Sequence, residues 1–236
     1  MRALLLAAGF GTRLGRLTAE RPKPLIKVGD KPILEFCLGQ LSSAGVTEVV
    51  INTHYRAPMV EAFISSFKSD LKITLSHEVE LLGTAGTLKT HIDFLSQDDF
   101  IVMHADNYFA YPMSRFISAH QSRKVGDFGS IGTFDTDNPM DCGVIVLNND
   151  QTISEFHEKV SNPPSVIANT AIYAFTPKVR EVLSSLSREE NNISTHLIPK
   201  IATRLYAHKF EGLFVDIGTP EGLNKANAYA KELSRS

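Results

Sequence analysis

The sequence predicts an α/β fold, a mixed and mostly parallel central sheet flanked by helices, on three observations. Apolar runs of strand length alternate with helical patterns through the first half, the pattern of βαβ units and a parallel sheet. The 236 residues are 43% hydrophobic, enough for a substantial core, and no Pro-, Ser- or Gly-rich linker divides them. Shorter extended pieces fill the second half and predict a mixed or antiparallel extension of the same sheet. One domain over residues 1–236 is therefore expected.

The elements follow in order. RALLLA supplies the first strand, over 3–6, and a long loop of small residues comes next. Pro32 suits the first turn of a helix to Ala44, with Ile33, Phe36, Cys37, Leu41 and Ala44 inward and Gly45 closing it. TEVVINT is a strand, 57–67 a helix, KITLSH a strand, and a helix from about Thr84 leads to the strand FIVMHA at 100–105. Met113, Phe116, Ile117 and His120 space as one helical face. GSIGTF, GVIVLN, TISEFHE and VIANTAIYAF are extended; two helices and the strand LFVDIG follow. A last helix starts at Pro220 after a Thr219 cap, with Leu223, Ala226 and Ala230 inward.

Composition excludes several classes. No apolar run approaches the roughly 18 residues of a membrane span, and a net charge of −2 argues against nucleic acid or an anionic membrane as partner. Cys37 and Cys142 lack metal-ligand spacing and no signal-peptide pattern is present, so a reducing cytoplasm is expected. Residues 1–30 nevertheless hold six basic side chains against Glu20 and Asp30, a local charge of +4. A small anionic ligand fits that better than a polymer does.

The loop LLLAAGFGTRLGRLTAERPKPL, residues 4–25, is the obvious place for such an anion. It is not a dinucleotide fingerprint, because Leu14 stands where the third glycine belongs, and it is not a P-loop, because no glycine follows Gly9 or Gly11 at the required distance. Small residues Ala7, Ala8, Gly9 and Gly11 leave the backbone open to a ligand. Asp106 and Asp216 stand at the ends of apolar strands, where open α/β sheets bind ligands. Two such carboxylates suit Mg²⁺; the alternative for each is to cap a helix or turn, an alternative that weighs equally for Asp216 taken alone. His54, His77, His104 and His157 are scattered without ligand spacing and read as structural.

The stretch LLLAAGFGTRLGRLTAERPKPLIKVGDKPIL closely resembles the signature of the sugar-1-phosphate nucleotidylyltransferases. LLGTAGTLK at 81–89, ADN at 105–107, CGVIVLNNDQTISEFHEK at 142–159, ANTAIYAF at 168–175 and VDIGTPEG at 215–222 match further motifs in the same order. The resemblance implies a single Rossmann-like nucleotidyltransferase domain, with a nucleotide-binding half over about 1–110 and a sugar-phosphate half over about 111–236. It implies Mg²⁺-dependent transfer from a nucleoside triphosphate to a sugar 1-phosphate, giving an NDP-sugar and pyrophosphate. Alignment and charge neutralisation dominate such an in-line displacement, and the phosphate nucleophile needs no base.

The family's roles fall on particular residues. Leu6, Ala7, Ala8, Gly9, Gly11, Thr12, Arg13, Glu78, Gly83 and Thr84 would bind the nucleotide, with Arg13 on the β- and γ-phosphates. Lys23, stiffened by Pro22 and Pro24, would sit between the reacting phosphates, and Asp106 and Asp216 would hold the Mg²⁺. Asn107, Gly143, Glu158, Lys159 and Asn169 would meet the sugar phosphate. A carboxylate at Glu78 could accept two hydrogen bonds from guanine, which favours GTP. The compact chain resembles enzymes acting on mannose or manno-heptose 1-phosphate, and those acting on N-acetylmuramate 1-phosphate; monomer and homodimer both stay open.

Two positions depart from the family pattern: Ala105 and Ala171 stand where glycine is usual. The first is tolerable unless the backbone there has positive φ; the second would reshape the sugar floor. Alternatives are a uridylyl- or thymidylyltransferase, a phosphocholine-type cytidylyltransferase with Tyr108, Tyr111 and Tyr173 near its pocket, or an inactive nucleotide-binding regulator. A related glycosyltransferase would want a D-x-D acid pair, and residues 106–108 read D-N-Y.

Overall fold

Four of the five residues of β1 (Arg2–Leu6) are buried, because the strand lies inside the sheet with a parallel neighbour on each edge. The computed structural model describes residues 1–124 and 127–235. After β1 come the glycine loop, a tight turn at Thr12–Leu14 and α1 (Arg16–Glu20). A small antiparallel pair, β2 (Lys27–Val28) with β3 (Lys31–Pro32), delivers the chain to α2 (Ile33–Ser43). Then follow β4 (Glu48–Thr53), α3 (Ala57–Ser66), β5 (Lys72–His77), α4 (Thr84–Leu95) and β6 (Phe100–His104). Strands β5, β4, β1 and β6 lie side by side, all parallel.

Next, β7 (Asn107–Phe109) leaves the main sheet before α5 (Met113–Ser122). The antiparallel part comprises β8 (Gly129–Asp135), β9 (Gly143–Leu147), β10 (Ile153–Glu158) and β11 (Ile167–Phe175). Along one side of β11, Ile172–Phe175 pair with β6 and Ala168 pairs with Val144 of β9, while β8 follows the other side. The sheet forks there. Between the two prongs the β11 register slips, and Ala171 adopts φ 54°, the left-handed region. The chain continues through α6 (Val179–Ser185) and α7 (Ile198–Ile201) to β12 (Leu205–Lys209), which lies parallel to β8. Finally β13 (Phe214–Asp216) pairs with β7, and α8 (Pro220–Leu233) starts where Thr219 Oγ1 accepts the Gly222 N–H at 3.1 Å.

Alternation along the strands divides the core into two layers. Ala3 and Leu5 of β1 pack with Leu34, Leu38, Met103 and Phe116 under α2 and α5; Leu4 and Leu6 pack with Leu88, Val102, Leu183 and Ile198 under α4, α6 and α7. Helices therefore cover both faces. This is the expected single α/β domain with a mixed, mostly parallel sheet. Four strands were not legible: LYAHK, which forms β12, NYF, which forms β7, and the two-residue pair β2 and β3, the latter ending on the Pro32 expected to open the helix. The strand expected at LFVDIG is present, but in the β7–β13 ribbon instead of the central sheet.

Candidate functional site

β1 ends at Leu6, whose carbonyl accepts the Ala105 N–H at 2.9 Å, so the glycine loop begins beside the end of β6. At Gly11, φ is 68° and a Cβ would lie 2.8 Å from Thr18 Cγ2, so both conformation and space require glycine. At Gly9 nothing lies within 4 Å of that position, and the backbone faces open space. The loop walls a cavity of about 330 Å³. Every residue expected to bind the nucleotide lines it, from the loop positions between Leu6 and Arg13 to Glu78, Gly83 and Thr84, and Lys23 and Asp106 join them.

Glu78 is placed differently from the expectation. Only 5% exposed, its Oε1 accepts from Asn52 Nδ2 at 2.8 Å and from Thr87 Oγ1 at 2.5 Å, and its Oε2 accepts the Leu82 N–H at 3.1 Å. Asn52 in turn accepts the Ala7 N–H at 2.7 Å through Oδ1. Glu78 thus ties the loop after β5 to the loop after β1. Two-point acceptance from guanine is not open to the side chain as it stands, because Oε1 is already filled by protein donors.

The two acids converge through the β7–β13 ribbon. Asp216 pairs in register with Asn107, and the Ile217 N–H donates to Asp106 O at 2.9 Å, so residues far apart in the chain share one ribbon end. Lys23 lies between Pro22 and Pro24 in a tight turn, 8% exposed. Its Nζ touches Asp106 Oδ2 and lies 3.2 Å from Asp216 Oδ1, while Arg13 reaches Asp216 Oδ2 at 3.1 Å. Burial works against charge on Lys23, yet the two carboxylates outweigh it and raise its pKa. Burial likewise opposes ionisation of Asp106, and the Lys23 ammonium overcomes it, holding this carboxyl below its ordinary value.

A second cavity, about 650 Å³, adjoins the first and shares Arg13, His104 and Asp106 with it. Asn107, Gly143, Glu158, Lys159 and Asn169 all line this space, as does Asp216. Glu158 is raised above its ordinary pKa by burial, against the opposing charge of Lys159. A Cβ on Gly143 would come 2.5 Å from Glu158 Oε2, so glycine makes room for that carboxylate. The amides of Asn107 and Asn169 are engaged within the protein: Asn107 Nδ2 donates to Thr170 O, and Asn169 donates to Tyr173 Oη while accepting the Ala171 N–H. Tyr108, Tyr111 and Tyr173 are buried and line neither cavity; the aromatic rings at the second one are Phe134 and Phe214.

The two departures from the family pattern separate. Ala105 is absent from the positive-φ positions, so its methyl meets no conformational obstacle, whereas Ala171 occupies one of them. Sequence reasoning missed three residues. His104, read as structural, borders both cavities, and burial holds its pKa down against the attraction of Asp106. Asn52 lies near the end of strand TEVVINT, at the same sheet edge that singled out Asp106, and that position was its signal. Gly218 lies inside VDIGTP, two residues past an acid already chosen.

Loops at the carboxyl ends of parallel strands, an open glycine-lined cradle and a lysine held by two acids beside adjoining cavities define a ligand-binding α/β domain. The chain belongs to the nucleotidyl transferase family, whose model matches residues 2–232. It is 34% identical to a mannose-1-phosphate guanyltransferase of Neurospora crassa over 94% of its own length and 62% of the relative's. It is 35% identical to mannose-1-phosphate guanylyltransferase 1 of Arabidopsis thaliana over 93% and 62%. The chain thus spans about 62% of the length of these curated relatives. A solved structure from Bacillus anthracis, described as a putative glucose-1-phosphate thymidylyltransferase in complex with sucrose, superposes with a TM-score of 0.87 at 26% identity, covering 98% of this chain and 95% of that one. Among the described residues, no helix is long and apolar enough to cross a membrane.

Proposed function

We propose that the chain transfers a nucleotidyl group from a nucleoside triphosphate to a sugar 1-phosphate, releasing pyrophosphate, with GTP and mannose or manno-heptose 1-phosphate as the favoured pair. The observation that carries this reading is the shared wall: Arg13 and Asp106 border both cavities, so two phosphorylated ligands would meet there. The nucleotide would occupy the cavity built from about residues 1–110, and the sugar phosphate the one built largely from 111–236. The guanylyltransferase relatives support GTP, in a cytoplasmic setting where triphosphates are supplied.

Backbone donors of Gly9, Gly11 and Thr12 would receive the phosphates, and Arg13 would take the pair that leaves as pyrophosphate. Lys23 would align the attacking phosphate with the α-phosphorus, matching charge as it builds. The attacking sugar phosphate, with a second pKa of about 6, is mostly dianionic at neutral pH and needs no general base. Glu158 and Lys159 would meet the sugar and its phosphate; the Gly143 backbone and Asn169 would complete that floor.

Asp106 and Asp216 are the residues to hold Mg²⁺. The donor set fits: both carboxylates already direct an oxygen at one cation, the Lys23 ammonium, and Mg²⁺ takes one or two carboxylates plus substrate phosphates. When bound, it supplies charge neutralisation at the α-phosphate and the leaving pyrophosphate. The deciding experiment incubates purified protein with Mg²⁺, each common NTP and a panel of sugar 1-phosphates, and records pyrophosphate release. GTP-dependent release with a hexose or heptose 1-phosphate is expected. Release only with UTP, dTTP or CTP would reassign the base, and silence throughout would leave a nucleotide-binding regulator.

A further inference from the structure

The acid pair raises a question of occupancy. Lys23 Nζ contacts both carboxylates, and the Arg13 guanidinium adds a second positive charge at Asp216. Two negative charges are therefore matched by two positive ones before any ligand arrives. A dication approaching the same oxygens meets a neutral site with an ammonium standing in its path.

Gly218 reports on the same arrangement. Its N–H donates to Asp216 Oδ1 at 2.6 Å, and a Cβ there would collide with Lys23 Nζ and lie 2.7 Å from Asp216 Oδ1 and 3.0 Å from the Arg13 guanidinium. Its φ is outside the left-handed region, so backbone conformation alone does not demand glycine. What a methyl here would displace first is the lysine head group.

We infer that, in the nucleotide-free chain, Lys23 is the resident counter-ion of Asp106 and Asp216 and holds a divalent cation off them, and that Gly218 is the positioning residue that makes room for it. The inference rests on the metal-binding reading of the two acids. A triphosphate brings several negative charges to the cradle beside Arg13 and Lys23 and offers both cations alternative partners. The carboxylates would then be free to hold a dication.

The test measures Mn²⁺ binding to the nucleotide-free full chain by the electron paramagnetic resonance signal of free Mn²⁺. Wild type is compared with Lys23→Met, Gly218→Ala and the Lys23→Met/Asp106→Asn double variant, each checked for fold by circular dichroism. Lys23→Met is expected to bind Mn²⁺ at least about tenfold more tightly than wild type, as a charge-neutral site becomes net negative. Gly218→Ala, which displaces the ammonium without removing it, should move in the same direction, and Asp106→Asn should erase the gain. Folded Lys23→Met and Gly218→Ala proteins that bind no more tightly than wild type would overturn the counter-ion role while leaving the metal reading standing. A gain that survives Asp106→Asn would overturn both, because the ion would then lie elsewhere.

Discussion

Asn52→Ala tests whether the nucleotide cradle is held by side chains or by its own backbone. Asn52 is 4% exposed; its Oδ1 accepts the Ala7 N–H at 2.7 Å, and its Nδ2 donates to Glu78 Oε1 at 2.8 Å and Thr87 Oγ1 at 3.3 Å. Alanine leaves one backbone donor and one carboxylate oxygen short of a partner. Each unmet buried polar group costs about 1–3 kcal/mol, and Glu78, which keeps Thr87 and Leu82, falls at the low end. A water entering the vacated space recovers part of this, so a net loss of about 2–3 kcal/mol is expected. Chemical denaturation reads that loss as a lower midpoint at unchanged slope. Because Ala7 loses its anchor, nucleotide affinity measured by titration should also fall, by about tenfold, the equivalent of about 1.4 kcal/mol. A stability change under about 0.5 kcal/mol with unaltered nucleotide affinity would refute the reasoning.

Other expectations follow from particular contacts. Asp106→Asn should lower turnover by about two to three orders of magnitude with the fold intact by circular dichroism, and a near-normal rate would remove Asp106 from the reacting centre. Ala171→Gly relieves a left-handed alanine and should stabilise the protein by about 1 kcal/mol, seen as a rise of about 2–4 °C in Tm; a fall would mean the bulge is held by the methyl. Gly143→Ala drives a methyl against Glu158 and should raise KM for the sugar phosphate while leaving nucleotide affinity as it was. The His120 hydrogen bond holds Asp99 below the usual carboxylate pKa against the effect of burial. Its contribution is therefore present above about pH 4 and disappears as pH falls through the native value. Asp99→Asn should accordingly be less stable than wild type at about pH 7, with the gap closing in acid denaturation curves.

Sequence patterning made the parallel half of the fold legible because its strands and helices differ clearly in period. Strands such as ALLL and FIVMH are apolar on both faces, and α2 and α4 carry helical spacing between turn residues. LYAHK and NYF escaped because each is short, mixed in polarity and defined by a partner far along the chain. At the site, Lys23, Asp106 and Asp216 were legible through strand-end position and the stiff RPKPL stretch. The engagement of Glu78 was not, since its three donors come from Asn52, Thr87 and the Leu82 backbone, and no local pattern announces such a meeting. Gly218 escaped for a related reason: its constraint comes from a lysine head group rather than from φ.

The forked course of β11 has a mechanical consequence for the second cavity. One end of that strand is bound to the central parallel layer and the other reaches the outlying β9–β10 arm, and Asn169, Thr170 and Ala171 between them line the second cavity. Substitutions in the arm, which supplies Gly143 and Glu158 to that cavity, can reshape it while the ladder joining β1 to β6 stays in place. The slipped residues around Ala171 are the joint at which such a change would be absorbed.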